Sequence, residues 1–457
     1  MTILHVGRAL LATGWDENVR LEIDGVGRIA RIEVGTQACD GDVLLKDDVL
    51  LPAPANLHSH AFQRAMAGLT EYRSSVSTDS FWTWRTLMYK FVAAITPDQV
   101  EAIAALVQME MLEAGFGSIG EFHYLHHQPD GKPYDDPAEM SVRVAAAAKQ
   151  TGIGLTHLPV LYMRGGCDDR PLGDGQVRFG HDLDRFAALI DAARPAVQSV
   201  GPDGMIGIAP HSLRAVTPDA LKKAAASLGD GPVHIHIAEQ TAEVDEVEAA
   251  YGARPVAWLL NNCDVDGKWC LIHATHMTDA ETAGMAKSGA VAGLCPITEA
   301  NLGDGIFNGV QFMEKSGAFG VGSDSNVRIS LTEELWLLEY SQRLRDRSRV
   351  VFSGETGSAG RTLFEGSCRG GAQALGRGSG VIEVGAWADL VALDGNHIVL
   401  DGFAGDRLLD AFIFAGDDSL VRDVWSAGRH VVREGRHIAR DRIVGRYRHA
   451  LAALRGV

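Results

Sequence analysis

His58 and His60 form an H-x-H pair at the end of an apolar run, Val43-Leu44-Leu45 and then Val49-Leu50-Leu51, that reads as buried extended chain. In a strand, side chains two apart point the same way, so both imidazoles share one face. Two such nitrogens are half of a first-row metal site, with zinc the default for nitrogen-rich ligation. H-x-H alone recurs by chance, and two polar histidines in a loop are its ordinary explanation. The later donors decide between these. His236 lies in PVHIHIAEQ with Glu239 three residues on, His273 ends CLIHATH, and Asp324 sits in GVGSDSN. Each closes an apolar run of strand length. His58, His60, His236 and Asp324 can hold one Zn²⁺ and leave room for water; another divalent metal such as Fe²⁺ would suit the same donors. His234 shares a face with His236 but lies deeper, and is expected to be a hydrogen-bonded core histidine. A lone Asp or Glu at a strand end is usually a cap, but the shared register of the whole set argues against that here.

The elements that must position these residues alternate. Helical periodicity over 97–114, 138–150, 183–197, 218–228, 244–261, 279–288 and 310–315 interleaves with extended runs at 117–124, 154–162, 205–210, 233–238, 269–273, 291–295 and 319–323. With the strand before His58, this is the pattern of an α/β (β/α)8 TIM barrel. An open doubly wound sheet competes, but no glycine-rich dinucleotide loop supports it. Barrel active sites occupy the C-terminal strand ends, where the candidates fall. Short strands also appear at 3–6, 19–23 and 29–34, and again at 381–385, 388–393, 421–425 and 430–432. Neither end has enough strands for a stable sheet. We therefore expect one small β-sandwich domain built from both termini, 1–51 plus 377–457, around a barrel of 52–376. Residues 164–180 read as a long loop.

Composition narrows the partners. The chain has 457 residues, 46% hydrophobic and 22% charged, with a net charge of −17. That balance argues against nucleic acid or an anionic membrane surface, and means that an anionic substrate must be caught by local arginines. The six cysteines lack any framework spacing, as in a reduced cytoplasmic protein. MTILHVGRALLATGW reads as a first strand rather than a signal peptide. No apolar run approaches the roughly 18 residues of a membrane span, so a soluble protein is expected.

The set H-x-H, HIAE, strand-end His and SDS resembles the amidohydrolase superfamily in its mononuclear deaminase branch. No lysine ends the fourth strand, IGIAPHSLR, so the carbamate-bridged binuclear form is not expected. Pro52-Ala53-Pro54 departs from the usual Pro-Gly there, which changes a turn and not a ligand. VGAWADLVALD is similar to the superfamily's small domain, so the resemblance covers nearly the whole chain. More narrowly, NLHSHAFQRAMAG, FWTWR, GEFHYLHH, PHSLR and SDSNVRISLTEEL are similar to the formimino-amino-acid deiminases of histidine degradation. That resemblance implies hydrolytic release of ammonia from a small anionic substrate derived from an amino acid, and a homodimer.

Zinc would lower the pKa of water, with Asp324 and His273 placed to accept its proton and Glu239 to protonate a nitrogen. Two substrate carboxylates would need counter-charges. Candidates on loops at the strand ends are Gln63 with Arg85, Tyr124, and His211 with Arg214, because arginine's planar fork suits carboxylates. Arg85 has a competing explanation: Phe81, Trp82, Trp84, Leu87, Met88 and Phe91 form an amphipathic helix whose core it would merely flank. Arg64 is a weaker candidate that could be structural. Two alternatives stay open. One is a deaminase or chlorohydrolase acting on a purine- or triazine-like heterocycle, with Trp82 and Trp84 as stacking surfaces. The other is a barrel without catalysis that serves as a scaffold.

Overall fold

The computed structural model describes residues 1–71, 81–227 and 231–455. Four strands open the chain: β1 (Thr2–Leu11), β2 (Gly14–Ile23), β3 (Ile29–Glu33) and β4 (Val43–Pro52). The barrel strands follow as β5 (Ala55–Ser59), β6 (Ser118–His123), β7 (Gly154–Leu161), β8 (Met205–Ile206), β9 (Ala209–Pro210), β10 (Val233–Ile237), β11 (Trp269–His273), β12 (Val291–Leu294) and β13 (Phe319–Val321). The chain ends with β14 (Leu390–Leu393), β15 (Val421–Ser426), β16 (Arg429–Arg433) and β17 (Arg436–His437).

Strands β5-β6-β7-β8 pair in parallel, with β9 also on β7, and so do β10-β11-β12-β13. Nearly every residue of these strands is buried, as parallel strands covered by helices require. Bridges between Ser59 and Asp324 and between Ile208 and Val233 link the two sheets at both seams. At the first seam the His60 N–H donates to the Asp324 carbonyl and the Asp324 N–H to the His58 carbonyl, each at 2.9 Å. This is the mixed α/β arrangement of the TIM-barrel kind.

The terminal strands form one eight-stranded sheet in the order β17-β16-β15-β14-β4-β1-β2-β3. The expected small β unit is thus a single hydrogen-bonded sheet and does not split into the two separately bonded layers of a sandwich. Period-two alternation gives it two cores. Leu50, Leu390 and Ala392 join the sheet's own cluster with Leu4, Val19 and Trp425. Their neighbours Val49, Leu51, Val391 and Leu393 join the main core instead, with Ile103 and Val107 of the helix Pro97–Glu113.

Three expectations need correction. The 244–261 helix is two, Thr241–Tyr251 and Pro255–Asn262, because Gly252 takes a left-handed φ of 72° and Pro255 starts afresh at a first turn. Residues 381–385 form no strand; Gly380 and Gly385 have φ of 82° and 94°, and the chain turns there. The C-terminal portion is not all β, since helices Arg407–Phe414 and Arg440–Arg455 pack on Ala359–Ala374 and Pro97–Glu113 respectively. Leu228, placed at the end of a helix by periodicity, lies outside the described residues. Among the described residues no helix is long and apolar enough to cross a membrane.

Candidate metal centre and active site

Strand β5 delivers His58, with His60 just past its end; β10 delivers His236, and Asp324 follows β13. One donor atom from each lies within 4.8 Å of all the others, and all four residues are buried. His58 Nε2 is 3.1 Å from His236 Nε2 and 3.4 Å from Asp324 Oδ1, which is 3.3 Å from His60 Nε2. Metal–nitrogen bonds of about 2.0–2.1 Å at tetrahedral angles put neighbouring donors about 3.3–3.4 Å apart, so these residues fit a divalent cation. Their protonation agrees. His60 Nδ1 lies 2.8 Å from the Phe122 carbonyl, which fixes the proton there and leaves Nε2 bare. Burial depresses His58 to about 3 and His236 well below its usual range, so both rings are neutral ligands. His234 Nε2 instead meets the Ala374 carbonyl at 2.7 Å, as a core histidine should.

His273 Nε2 stands 3.9 Å from both Glu239 Oε1 and Asp324 Oδ2. Burial pushes Glu239 up to about 7, so it can hold a proton near neutrality. Burial works against protonated His273, but the Glu239 charge, the Glu299 hydrogen bond and the Asp324 charge outweigh it and raise the ring above its usual value, a pull that a cation on the four donors would oppose. Asp324 is opposite: burial would raise it, yet His58 and His60 hold it well below the carboxylate range. Ala238, His273, Ala274 and Asp324 have φ between 46° and 68°. Each costs on the order of 1–2 kcal/mol, and these four sit at strand ends that carry or adjoin the site's charged groups.

Above this floor lies a cavity of about 560 Å³, its open mouth included. His60, His236, Glu239, His273 and Asp324 line it, and so do Gln63, Arg85, Tyr124, His211 and Arg214. Gln63 Nε2 donates to Tyr124 Oη at 2.6 Å, leaving its buried Oε1 without a protein partner. Arg85, on the helix Phe81–Ala94, is half-buried with its guanidinium 5.6 Å from the Tyr89 ring centre. Arg214 is buried 4.0 Å from Glu243. Burial, then the Arg214 charge, keep His211 neutral. Arg64 does not line the cavity: it donates to the Asn326 and Val327 carbonyls and pairs with Glu110, a structural role. The side chain of Trp82 lies outside the described residues, whereas Trp84 lines the wall.

The sequence reasoning missed Tyr89, Tyr162, Phe179 and Leu302, which complete the wall, and Glu299, whose Oε1 is 3.2 Å from His273 Nδ1. A glutamate early in a helix is ordinary. The available signal was its place just past the end of β12.

Residues 49–431 match the amidohydrolase family, and the chain belongs to that family. It is accordingly a hydrolase acting on C–N bonds, and the scaffold alternative falls away. Residues 1–44 match the N-terminal domain of the formimidoylglutamate deiminase HutF. Formimidoylglutamate deiminase of Pseudomonas aeruginosa is 50% identical over 444 residues, 97% of each chain. An amidohydrolase from Brucella melitensis of known structure superposes with a TM-score of 0.95 at 49% identity, covering 99% of this chain and 100% of that one. An adenosine deaminase from Xanthomonas campestris with bound zinc, at 22% identity and a TM-score of 0.81 over 100% of this chain and 99% of that one, shares the fold.

Proposed function

We propose that the protein hydrolyses N-formimino-L-glutamate to N-formyl-L-glutamate and ammonia, a step of histidine degradation. The observation that carries this is one cavity holding two arginines, Arg85 and Arg214, over a four-donor metal cluster and Glu239. An amidine flanked by two carboxylates matches that arrangement, and the relative in Pseudomonas aeruginosa bears the corresponding name.

His58, His60, His236 and Asp324 hold one divalent metal, zinc by the character of the donors. When bound, it supplies Lewis acidity and lets water ionise near neutrality. His273 and Asp324 take the proton of the water that adds to the amidine carbon. Glu239, its carboxyl raised to about 7, gives its proton to the imino nitrogen as water adds. The proton taken from the water then passes to the same nitrogen, the new hydroxyl returns its own to Glu239, and the C–N bond breaks to leave ammonia and the formyl carbonyl. Arg85 and Arg214 bind the carboxylates, Gln63 and Tyr124 present a polar wall, and neutral His211 presents an uncharged hydrogen-bonding edge. In the same reading the two parallel sheets make one closed barrel of 52–376, and the terminal sheet is a separate domain of 1–51 plus 377–457. The protein works in the cytoplasm as a homodimer; its six free cysteines fit a reducing compartment.

The test is ammonia release from N-formimino-L-glutamate, with guanine, adenosine and a triazine alongside, and metal quantified in the same preparation. Turnover of the formimino compound alone is expected. Glu239→Gln should lower kcat by about 10²–10⁴-fold with the metal retained. Activity on a heterocycle alone would overturn the assignment of both arginines.

A further inference from the structure

Glu299 occupies the first turns of the helix Pro296–Leu302, directly after β12. It is buried, and its Oε1 accepts the Cys295 N–H at 2.9 Å while facing His273 Nδ1 at 3.2 Å. A neutral imidazole carries one N–H, and the nitrogen that faces an acceptor keeps it. In the neutral ring the proton of His273 therefore sits on Nδ1, and Nε2 is turned toward the space between Glu239 and Asp324.

Among the described residues Glu299 is the one acceptor within hydrogen-bond distance of either ring nitrogen, since Glu239 and Asp324 stand 3.9 Å from Nε2. His236 stacks on it at 5.6 Å with planes 10° apart, which fixes the plane but not which nitrogen points where. A half-turn about the Cβ–Cγ bond preserves the stack but puts carbons where the two nitrogens now stand. The backbone of His273 is left-handed, with φ of 68°, so its direction depends on surrounding contacts.

We propose that Glu299 is a positioning residue for the reaction: it holds His273 as the Nδ1–H tautomer with Nε2 aimed at the reacting centre. The activity readout rests on the deiminase reading above. The competing explanation is that Glu299 only caps its helix through the Cys295 N–H. A glutamine keeps an oxygen for that cap but removes the charge that holds the His273 proton.

Glu299→Gln and Glu299→Ala would be prepared zinc-loaded beside the parent and His273→Asn. Steady-state kinetics, zinc stoichiometry and the downfield imidazole N–H proton resonance would be recorded for each. The resonance is assigned to His273 by its absence in His273→Asn. We expect Glu299→Gln to keep its zinc and a KM within about threefold, lose about 10- to 100-fold in kcat, and shift or lose the resonance. A kcat within about twofold of the parent with the resonance unchanged would overturn the proposal. So would a loss of kcat that tracks loss of zinc. Glu299→Ala removes the cap as well, and Glu299→Gln decides if it fails to fold. A parent inactive on the formimino compound would count against the proposed function instead, and the resonance alone would then decide the Glu299–His273 bond.

Discussion

Arg214 is a buried cation whose nearest carboxylate, Glu243, stands 4.0 Å away, and its Nε has no protein partner. Burying a guanidinium under those conditions is costly, and a substrate carboxylate is the natural second anion. Arg214→Met should raise KM for N-formimino-L-glutamate about 10- to 100-fold, the loss of one or two charge-assisted hydrogen bonds, with kcat much less affected. An unchanged KM would remove Arg214 from the binding set. The metal donors were legible in the sequence because metal chemistry admits few residue types and the barrel puts them in one register. Arg64 and Arg85 were harder to separate, since both follow the first barrel strand. Only the packing shows Arg64 spent on the Asn326 and Val327 carbonyls while Arg85 meets the cavity. Glu299 was harder to read, because its place after β12 gains meaning only from its contact with a ring on another strand.

Individual strands hold the site together through backbone, not only through side chains. Gly322 lies between β13 and Asp324, and a Cβ there would sit 2.7 Å from both the nitrogen and the oxygen of His58. No side-chain adjustment relieves a clash with backbone. Gly322→Ala should push β5 from β13 and separate His58 and His60 from Asp324. The measurable result is metal content well below the parent's at equal protein concentration, with activity falling in proportion; full metal occupancy would refute this. Element order was readable because helical and strand periods differ and alternate regularly. Element ends were less so: the split at Gly252 and Pro255 and the turn between Gly380 and Gly385 depend on single residues inside otherwise continuous apolar patterns.

At the scale of the whole molecule, the sheet and the barrel are tied by a buried charge network. Arg377 bridges Asp203 and Asp389 at 2.9 and 2.6 Å, and Arg429 of β16 reaches Asp203 at 2.7 Å and the Gly152 carbonyl at 2.9 Å. Burial would raise Asp203, but Arg429 and Arg377 reverse that and lower it from 3.8 to about 2. A carboxylate depressed on folding stabilises above its unfolded pKa and loses that contribution as pH falls toward its folded one. The amount is about 2 kcal/mol, present near neutrality and lost between about pH 4 and 2. Asp203→Asn should cost about 3–5 kcal/mol near neutral pH, since it leaves buried cations short of a partner. Its gap in Tm from the parent should narrow as pH falls through that window. A gap independent of pH would show that the charge of Asp203 is not what matters.

The pairing of Pro52 with Leu390 has a consequence for how the chain reaches this state. Strand β4 runs straight into the strand that bears His58, yet one of its two neighbours is made only after the whole barrel has been synthesised. Until then Val49, Leu50 and Leu51 present an apolar edge with open backbone groups. Non-local pairing of this kind slows folding and leaves the nascent chain prone to aggregation. Chains shortened before β14 should accordingly accumulate as insoluble material rather than as a smaller active barrel.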